Sequence, residues 1–296
     1  MRVVVAGSTG MIGTELVAAL RRDGHDVVRM VRRATAAPDE RTWDPPAGRI
    51  EDGTFDGADA VVNLCGAPIT LNRLSAARKQ VIADSRIEPT EVIAAAVAEH
   101  GVPLLVNASA VGYYGEKGDQ IVEESAPPGT GFLSSMCVEW QNATKPAQDA
   151  GARVVILRTG LVLSKQGGLL GPLRLLFSAM LGARLGDGRQ WMPWIHHEDE
   201  IRAITHVLST ASISGPVNVS APNPVTNTEF TKAFSAAMGR PAPWVVPKFA
   251  LRAVLGELAD EGALVSQRVI PKVLQDNGFT FTFDAVDAAL GSVARR

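Results

Sequence analysis

Cysteine is nearly absent from this chain of 296 residues, which carries only Cys65 and Cys137. Two cysteines so far apart build no disulfide framework, so a reducing compartment, the cytoplasm, is the expected setting. An excess of one charge is also missing. The 29 basic residues face 31 acidic ones, for a net charge of −2. Wholesale nucleic-acid binding is therefore not expected. No apolar run approaches about 18 residues, so no membrane span is expected. The N-terminal apolar stretch is too short to read as a signal peptide. Aromatic residues make up 5%, and the only tyrosines are Tyr113 and Tyr114. What remains is ordinary globular material, 46% hydrophobic and 20% charged. Disorder is not expected of it. The length suits about two domains, or one larger α/β unit with an appendage.

The strongest local pattern comes first in the chain. MRVVVA at 1–6 is a β-branched run suited to a strand buried on both faces. A glycine turn follows at once, then a helical pattern over Met11 to Arg22 and a second strand over His25 to Val31. Strand, turn, helix and strand in so few residues form a βαβ unit with a parallel sheet. Ala34 to Asp59 reads as loops with short strands. Further strands are expected at Ala60–Leu64, Pro103–Asn107 and Arg153–Leu157, with a helix over Leu74 to His100 that Pro89 breaks or kinks. The fold class is thus α/β, a Rossmann-like doubly wound parallel sheet. From about Gly167 the chain is punctuated by glycine and proline. This part reads as a smaller, α-rich C-terminal substrate lobe, 166–296, against a dinucleotide-binding domain at 1–165 that takes later elements from 190–220.

Gly7, Ser8, Thr9, Gly10, Met11, Ile12 and Gly13 form the turn between the first strand and the first helix. The first glycine allows the tight turn, the second lets backbone approach a pyrophosphate, and the third allows close helix–strand packing. The helix N-terminus then offers N–H groups to the phosphates. The spacing is GxxGxxG, and it gains weight from following a strand and opening a helix. The second strand ends Val31-Arg32-Arg33, without the acid that usually holds the ribose of NAD. Two guanidinium groups suit a 2′-phosphate, so NADP is the expected cofactor. Arg32 is the better candidate because it lies nearer the strand end. The bland alternative for both is a solvated surface pair.

Further segments carry a resemblance. They are VNLCGAPI at 62–69, SRIEPT at 85–90, SAVGYYG at 109–115, CVEWQ at 137–141, LRTGLVLS at 157–164, WIHHED at 194–199 and IPKVLQDNGFTFTF at 270–283. With the glycine turn, they make the chain resemble the extended short-chain dehydrogenase/reductase superfamily. Within it, the chain resembles the atypical epimerase-like family called nucleoside-diphosphate-sugar epimerases, which has an extra C-terminal domain. The resemblance implies an NADP-type cofactor. It also places Asn63, Leu64, Cys65, Gly66, Arg86 and Leu161 along the cofactor.

Ordinary members of that superfamily use a serine with a tyrosine and lysine spaced YxxxK. This chain contains no YxxxK. By the register of Trp140-Gln141, Leu133 stands at the tyrosine position and Cys137 at the lysine position, while Arg86 stands where an asparagine is usual. Ser109 matches the serine and is expected to orient a reacting oxygen. Arg86 is expected to supply the lost positive charge. Tyr113 is a candidate phenol for proton transfer, and Tyr114 matches a structural position. Cys137 is either a weak acid at the site or a buried helix cysteine.

Other candidates compete with plain structural roles. Adjacent His196 and His197 diverge on either a strand or a helix, so no metal is expected there, and Asp199 reads as a helix-start residue. Trp140, Trp191 and Trp194 line a cleft or fill a core. Arg158 and Arg184 bind a substrate phosphate or form salt bridges. The expected function is an NADP(H)-dependent oxidoreductase or epimerase-like enzyme for a small carbonyl, hydroxyl or sugar-nucleotide substrate. The alternative is a non-catalytic NADP(H)-binding sensor.

Overall fold

A computed structural model describes residues 1–69 and 73–294. The chain runs β1 (Arg2–Ala6), α1 (Met11–Arg22), β2 (Asp26–Val31), β3 (Glu40–Asp44), β4 (Arg49–Ile50), β5 (Ala60–Asn63), α2 (Ala76–His100) and β6 (Leu104–Ala110). Next come β7 (Ile121–Val122), α3 (Phe132–Asn142), α4 (Lys145–Asp149), β8 (Arg153–Thr159) and β9 (Leu161–Leu163). Then follow α5 (Leu170–Ser178), β10 (Ala183–Leu185), β11 (Trp191–Met192), β12 (Trp194–His196), α6 (His197–Ser209) and β13 (Gly215–Val219). The chain ends with β14 (Val225–Thr226), α7 (Asn227–Met238), β15 (Trp244–Val246), α8 (Lys248–Leu255), β16 (Arg268–Val269), α9 (Lys272–Asp276) and α10 (Val286–Val293).

One eight-stranded sheet, ordered β13-β8-β6-β5-β1-β2-β3-β4, organises the first half. Its ladders are parallel except for the β3–β4 edge pair. Side chains alternate across a strand, which explains why β1 has to be apolar throughout. Val3 and Val5 pack on one face with Leu16 and Leu20 of α1 and Ile204 and Val207 of α6. Val4 and Ala6 pack on the other with Ile93 and Val97 of α2 and Ala147 of α4. Crossovers of this kind bring all the C-terminal strand ends to one edge, where a ligand cleft belongs.

The expected elements are present, with longer strands at β6 and β8 and with β3 and β4 inside the loop-rich stretch. Pro89 does not break α2. The helix runs on through it, with Ile82, Pro89 and Ile93 all buried. Packing on both sides of the proline outweighs the hydrogen bond it cannot make.

The C-terminal part is interleaved with the sheet half. β12, α6 and β13 belong to the sheet half. Leu274 and Phe279 return to the core beside α6. The lobe's own cores are α5, α7 and α10 around Phe177, Phe230 and Phe234, and α8 around Leu251, Leu255 and Leu258. No helix among the described residues is long and apolar enough to cross a membrane.

Candidate active site

The turn after β1 is shaped by what its glycines lack. Gly7 sits at φ +78°, and a Cβ there would fall 2.8 Å from the Leu64 carbonyl group. A Cβ on Gly13 would fall 2.2 Å from the Gly7 oxygen, so only glycine lets α1 pack onto the turn. The Gly10 N–H donates to Gly7 O at 3.0 Å and closes the loop. Gly10 is also the N-cap of α1. It offers no side-chain cap, and the first helical turn contains no acid. The helix therefore begins with N–H groups that no side chain satisfies, a natural place for an anion. Thr9 and Gly10 are exposed and Met11 is half-buried, so this surface is open. Ile12 packs toward the core beside α1. The Ser8 hydroxyl is buried with no partner.

The two arginines after β2 separate cleanly. Arg33 grips Glu40 with both Nη atoms, at 2.9 and 2.6 Å. Glu40 is buried, and its carboxyl is held down to about 2, first by Arg33 and then by the Ala36 N–H. This corrects the expectation for Arg33, because its guanidinium is spent on an internal carboxylate. Arg32 is exposed and makes no ion pair among the described residues. Its charge reaches Cys65, where it opposes the burial that pushes that thiol up to about 12. Arg32 therefore lies within electrostatic reach of the segment after β5.

The segment after β5 is fixed from below. Asn63 is fully buried; its amide donates to Thr90 at 2.9 Å and to Asn107 at 2.7 Å, and its oxygen accepts from Cys65 N–H at 3.1 Å. With both amide ends used, the Asn63 side chain supports residues 64–66 from below. Leu64 and Cys65 form the wall that Gly7 touches. Gly66 lies against the Arg86 guanidinium, 3.2 Å from where its Cβ would be. Arg86 is buried and has no carboxylate partner. It donates to the carbonyls of Ile82 at 2.9 Å and Ala67 at 3.0 Å, and lies 5.3 Å from the Trp140 ring centre. Burial pulls its pKa down. Arg86 thus fixes the loop and leaves a positive charge behind it. Leu161 sits where the sheet meets the lobe, its N–H bound to Pro193 O at 2.8 Å.

The ends of β6 and β8 hold a closed network. Ser109 is 5% exposed, and its hydroxyl accepts from Gln141 Nε2 at 2.8 Å. Gln141 Oε1 accepts from Arg158 at 3.1 Å. Arg158 donates onward to the Tyr114 hydroxyl at 3.0 Å and to Glu124 O at 2.9 Å. Tyr114 donates to Asn218 at 2.6 Å, and burial pushes its phenol up to about 12. Ser109 is therefore a buried hydroxyl whose oxygen already accepts from Gln141. Burial likewise pushes the Cys137 thiol up to about 11 despite nearby Arg86, so Cys137 is a protonated helix cysteine near neutral pH. Of the two readings open for Cys137, this is the buried helix cysteine. Tyr113 differs. It is half-buried, its hydroxyl makes no hydrogen bond among the described residues, and Arg158 lies 3.6 Å from its ring centre.

Leu133 packs with Leu74 and Leu185, joining α3 to the lobe. Sequence reasoning missed Glu261, whose carboxylate accepts from the N–H groups of Phe132 at 3.0 Å and Leu133 at 2.7 Å. One signal was available: α3 starts after Gly131 with no capping side chain of its own, so its cap has to come from elsewhere. Glu200 was also missed. It is fully buried, one oxygen accepts from Thr159 at 3.1 Å, and the other has no partner. Burial pushes it up to about 8.

The His-His-Glu-Asp stretch is structural. His196 caps α6 by accepting from Glu198 N–H at 3.2 Å, and burial pulls its ring down to about 4. Asp199 accepts from the N–H groups of Thr282 and Phe283 at 2.9 and 2.8 Å. Trp140 and Trp194 are buried in cores, while Trp191 donates to Asp119 at 2.9 Å.

Comparison with known proteins gives this geometry a setting. Residues 3–220 match the NAD dependent epimerase/dehydratase family, and residues 246–293 match a domain of unknown function, DUF1731. An epimerase family protein of Mycobacterium tuberculosis (strain CDC 1551 / Oshkosh), MT2273, is 53% identical over 294 residues, 99% of this chain and 98% of that one. A crystal structure of human epimerase family protein SDR39U1 (isoform2) with NADPH superposes with a TM-score of 0.89 at 33% identity, covering 99% of both chains. A nucleoside-diphosphate sugar epimerase from Corynebacterium glutamicum superposes at 0.83 with 37% identity, covering 99% of this chain and 58% of that one.

Proposed function

This chain belongs to the NAD dependent epimerase/dehydratase family, and on that premise we propose that it is an NADP(H)-dependent oxidoreductase or epimerase-type enzyme for a small carbonyl or hydroxyl substrate. The observation that carries the proposal is Arg32. It is the one cation at the end of β2 left unpaired among the described residues there, and it stands beside an open glycine turn. NADPH in the human relative's structure supports the same reading.

The residues fit the cofactor. Glycines at 7, 10 and 13 leave room that Cβ atoms would fill, and the first N–H groups of α1 suit its pyrophosphate. Arg32 suits the 2′-phosphate. When bound, the nicotinamide supplies hydride. Arg86 holds the loop at 66–67 in place and contributes a fixed positive charge. Tyr113 is the phenol whose hydroxyl is free to exchange a proton with a substrate oxygen.

The test is a fluorescence titration with NADPH and NADH on the wild type, Arg32→Ala and Arg33→Ala. Wild type prefers NADPH. Arg32→Ala loses about 10- to 100-fold in NADPH affinity, as expected for a charge-assisted phosphate contact, and keeps its NADH affinity. Arg33→Ala keeps the preference. Equal affinity of the wild type for both nucleotides, or no binding of either, overturns the assignment.

A second reading has its own support. Leu133 cannot move a proton, and the Cys137 thiol holds its proton at neutral pH. A protein that binds NADP(H) without turnover accounts for both. Tyr113→Phe separates the readings. Loss of hydride exchange with a carbonyl panel at unchanged NADPH affinity supports the enzyme, whereas no exchange in the wild type supports the sensor.

A further inference from the structure

We propose a second ligand site, on the outer face of the C-terminal lobe, for a planar aromatic ring carrying a phosphate. The site is a cavity of about 390 Å³ between the β10–β15 pair and α7. That volume lies within the range of small-molecule pockets, about 300–1,000 Å³. It shares no residue with the glycine turn or with the network around Ser109.

Alternation along β10 creates it. Leu185 points into the apolar cluster that meets Leu133 of the sheet half. Arg184, one residue earlier, lies on the opposite face, toward α7. Its stem passes over Gly188, where a Cβ would come within 2.3 Å of the arginine Cδ. The Arg184 Nε is buried with no partner, and its guanidinium makes no ion pair among the described residues. Lys232 of α7 is also unpaired among them, and no acidic residue lines the cavity. Two cations left together without a carboxylate repel each other until an anion arrives.

The remaining wall defines the rest of the ligand. Trp244 is 56% exposed, yet its indole N–H is anchored to Met180 O at 2.9 Å. A large aromatic face held in place and left open to solvent is a stacking platform. The Thr231 side chain makes no hydrogen bond among the described residues and lines the same cavity. A phosphate contacting Arg184, Lys232 and Thr231, with its ring on Trp244, satisfies every uncommitted group.

The experiment is calorimetric titration of the full chain with AMP, adenosine and inorganic phosphate. AMP is expected to bind at least about tenfold tighter than either fragment, because it uses both halves of the site. Arg184→Met and Lys232→Met each weaken AMP by about tenfold, while Trp244→Leu weakens AMP and adenosine but spares phosphate. Gly10→Ala, which alters the turn after β1, leaves this signal intact. Lys232 is exposed, so its variant keeps the test sound even where Arg184→Met does not fold. Absence of AMP binding overturns the proposal. So does binding that survives Lys232→Met or disappears in Gly10→Ala.

Discussion

At the ends of β1 and β2, polar capacity is left open: the α1 N-terminus has no side-chain cap and Arg32 has no ion-pair partner among the described residues. At the ends of β6 and β8, two to four strands away in the same sheet, capacity is spent inward. Ser109, Gln141, Arg158, Tyr114 and Asn218 satisfy one another in a continuous chain. Both regions are rich in groups able to bind or react. The difference is that only the first has kept them available. A buried network that is fully satisfied rigidifies a fold, whereas an open set of donors waits for a ligand. The cofactor end therefore reads as the open site, and Tyr113, whose hydroxyl makes no hydrogen bond among the described residues, is the proposed group for chemistry beside it.

The comparison breaks most violently at Gly13. Gly13→Ala places a methyl 2.2 Å from Gly7 O and 2.9 Å from the Ser8 Cα, and both neighbours are backbone. Overpacking against backbone costs at or above the top of the usual range of about 1–3 kcal/mol. The variant is expected to melt well below wild type and to lose NADPH binding altogether. Gly10→Ala is its partner. Its methyl meets only Gly7 O, at 3.4 Å, so the fold is kept. Affinity alone falls, because the methyl stands where the pyrophosphate approaches. Thermal melts with NADPH titration measure both. A Gly13→Ala protein that melts and binds like wild type would refute the packing argument.

Glu200 sharpens the other side, since one of its oxygens, like Arg158 Nε, is left without a partner there. Its ordinary value is 4.5 and burial pushes it to about 8. Below 4.5 both folded and unfolded chains hold the proton, and Glu200 costs nothing. As pH rises toward 8 the unfolded chain releases the proton while the folded chain keeps it, so stability falls through this window. Each unit of the gap is about 1.4 kcal/mol, so a few kcal/mol are at stake. Glu200→Gln is expected to be more stable than wild type near pH 8 and to flatten the dependence. Urea unfolding at the two ends of the window checks this. An unchanged slope means that the carboxyl has found a partner in solution.

The legible parts of the molecule were those set by local rules. The glycine spacing, the apolar β1 and the helix after it follow from backbone sterics and side-chain alternation, which neighbours in sequence already encode. The role of Arg33 was not legible, because Glu40 comes from β3, a strand hidden in a loop-like stretch. The setting of Ser109 was hidden for the same kind of reason. It depends on Gln141, 32 residues on. Asn63, expected along the cofactor, turns out to form a buried cluster with Asn107 and Thr90. In each case residue type was correct as a sign of chemistry. What sequence withheld was whether a neighbour had already consumed that chemistry.

Cys137 gives the smallest effect and the most direct contrast. It is buried, and that burial pushes its thiol up to about 11, so a negligible fraction is thiolate at neutral pH. Nucleophilicity and proton transfer both need the thiolate to be accessible. Iodoacetamide is therefore expected to leave Cys137 unmodified in the folded protein and to alkylate it once urea unfolds the chain, as read by mass spectrometry. Cys137→Ala removes a buried sulfur, so stability falls by only about 1–2 kcal/mol, with NADPH affinity unchanged. Alkylation in the folded state would mean that the helix opens toward solvent. The region beyond β6 would then share the availability seen at β1, and the two ends of the sheet would no longer differ in kind.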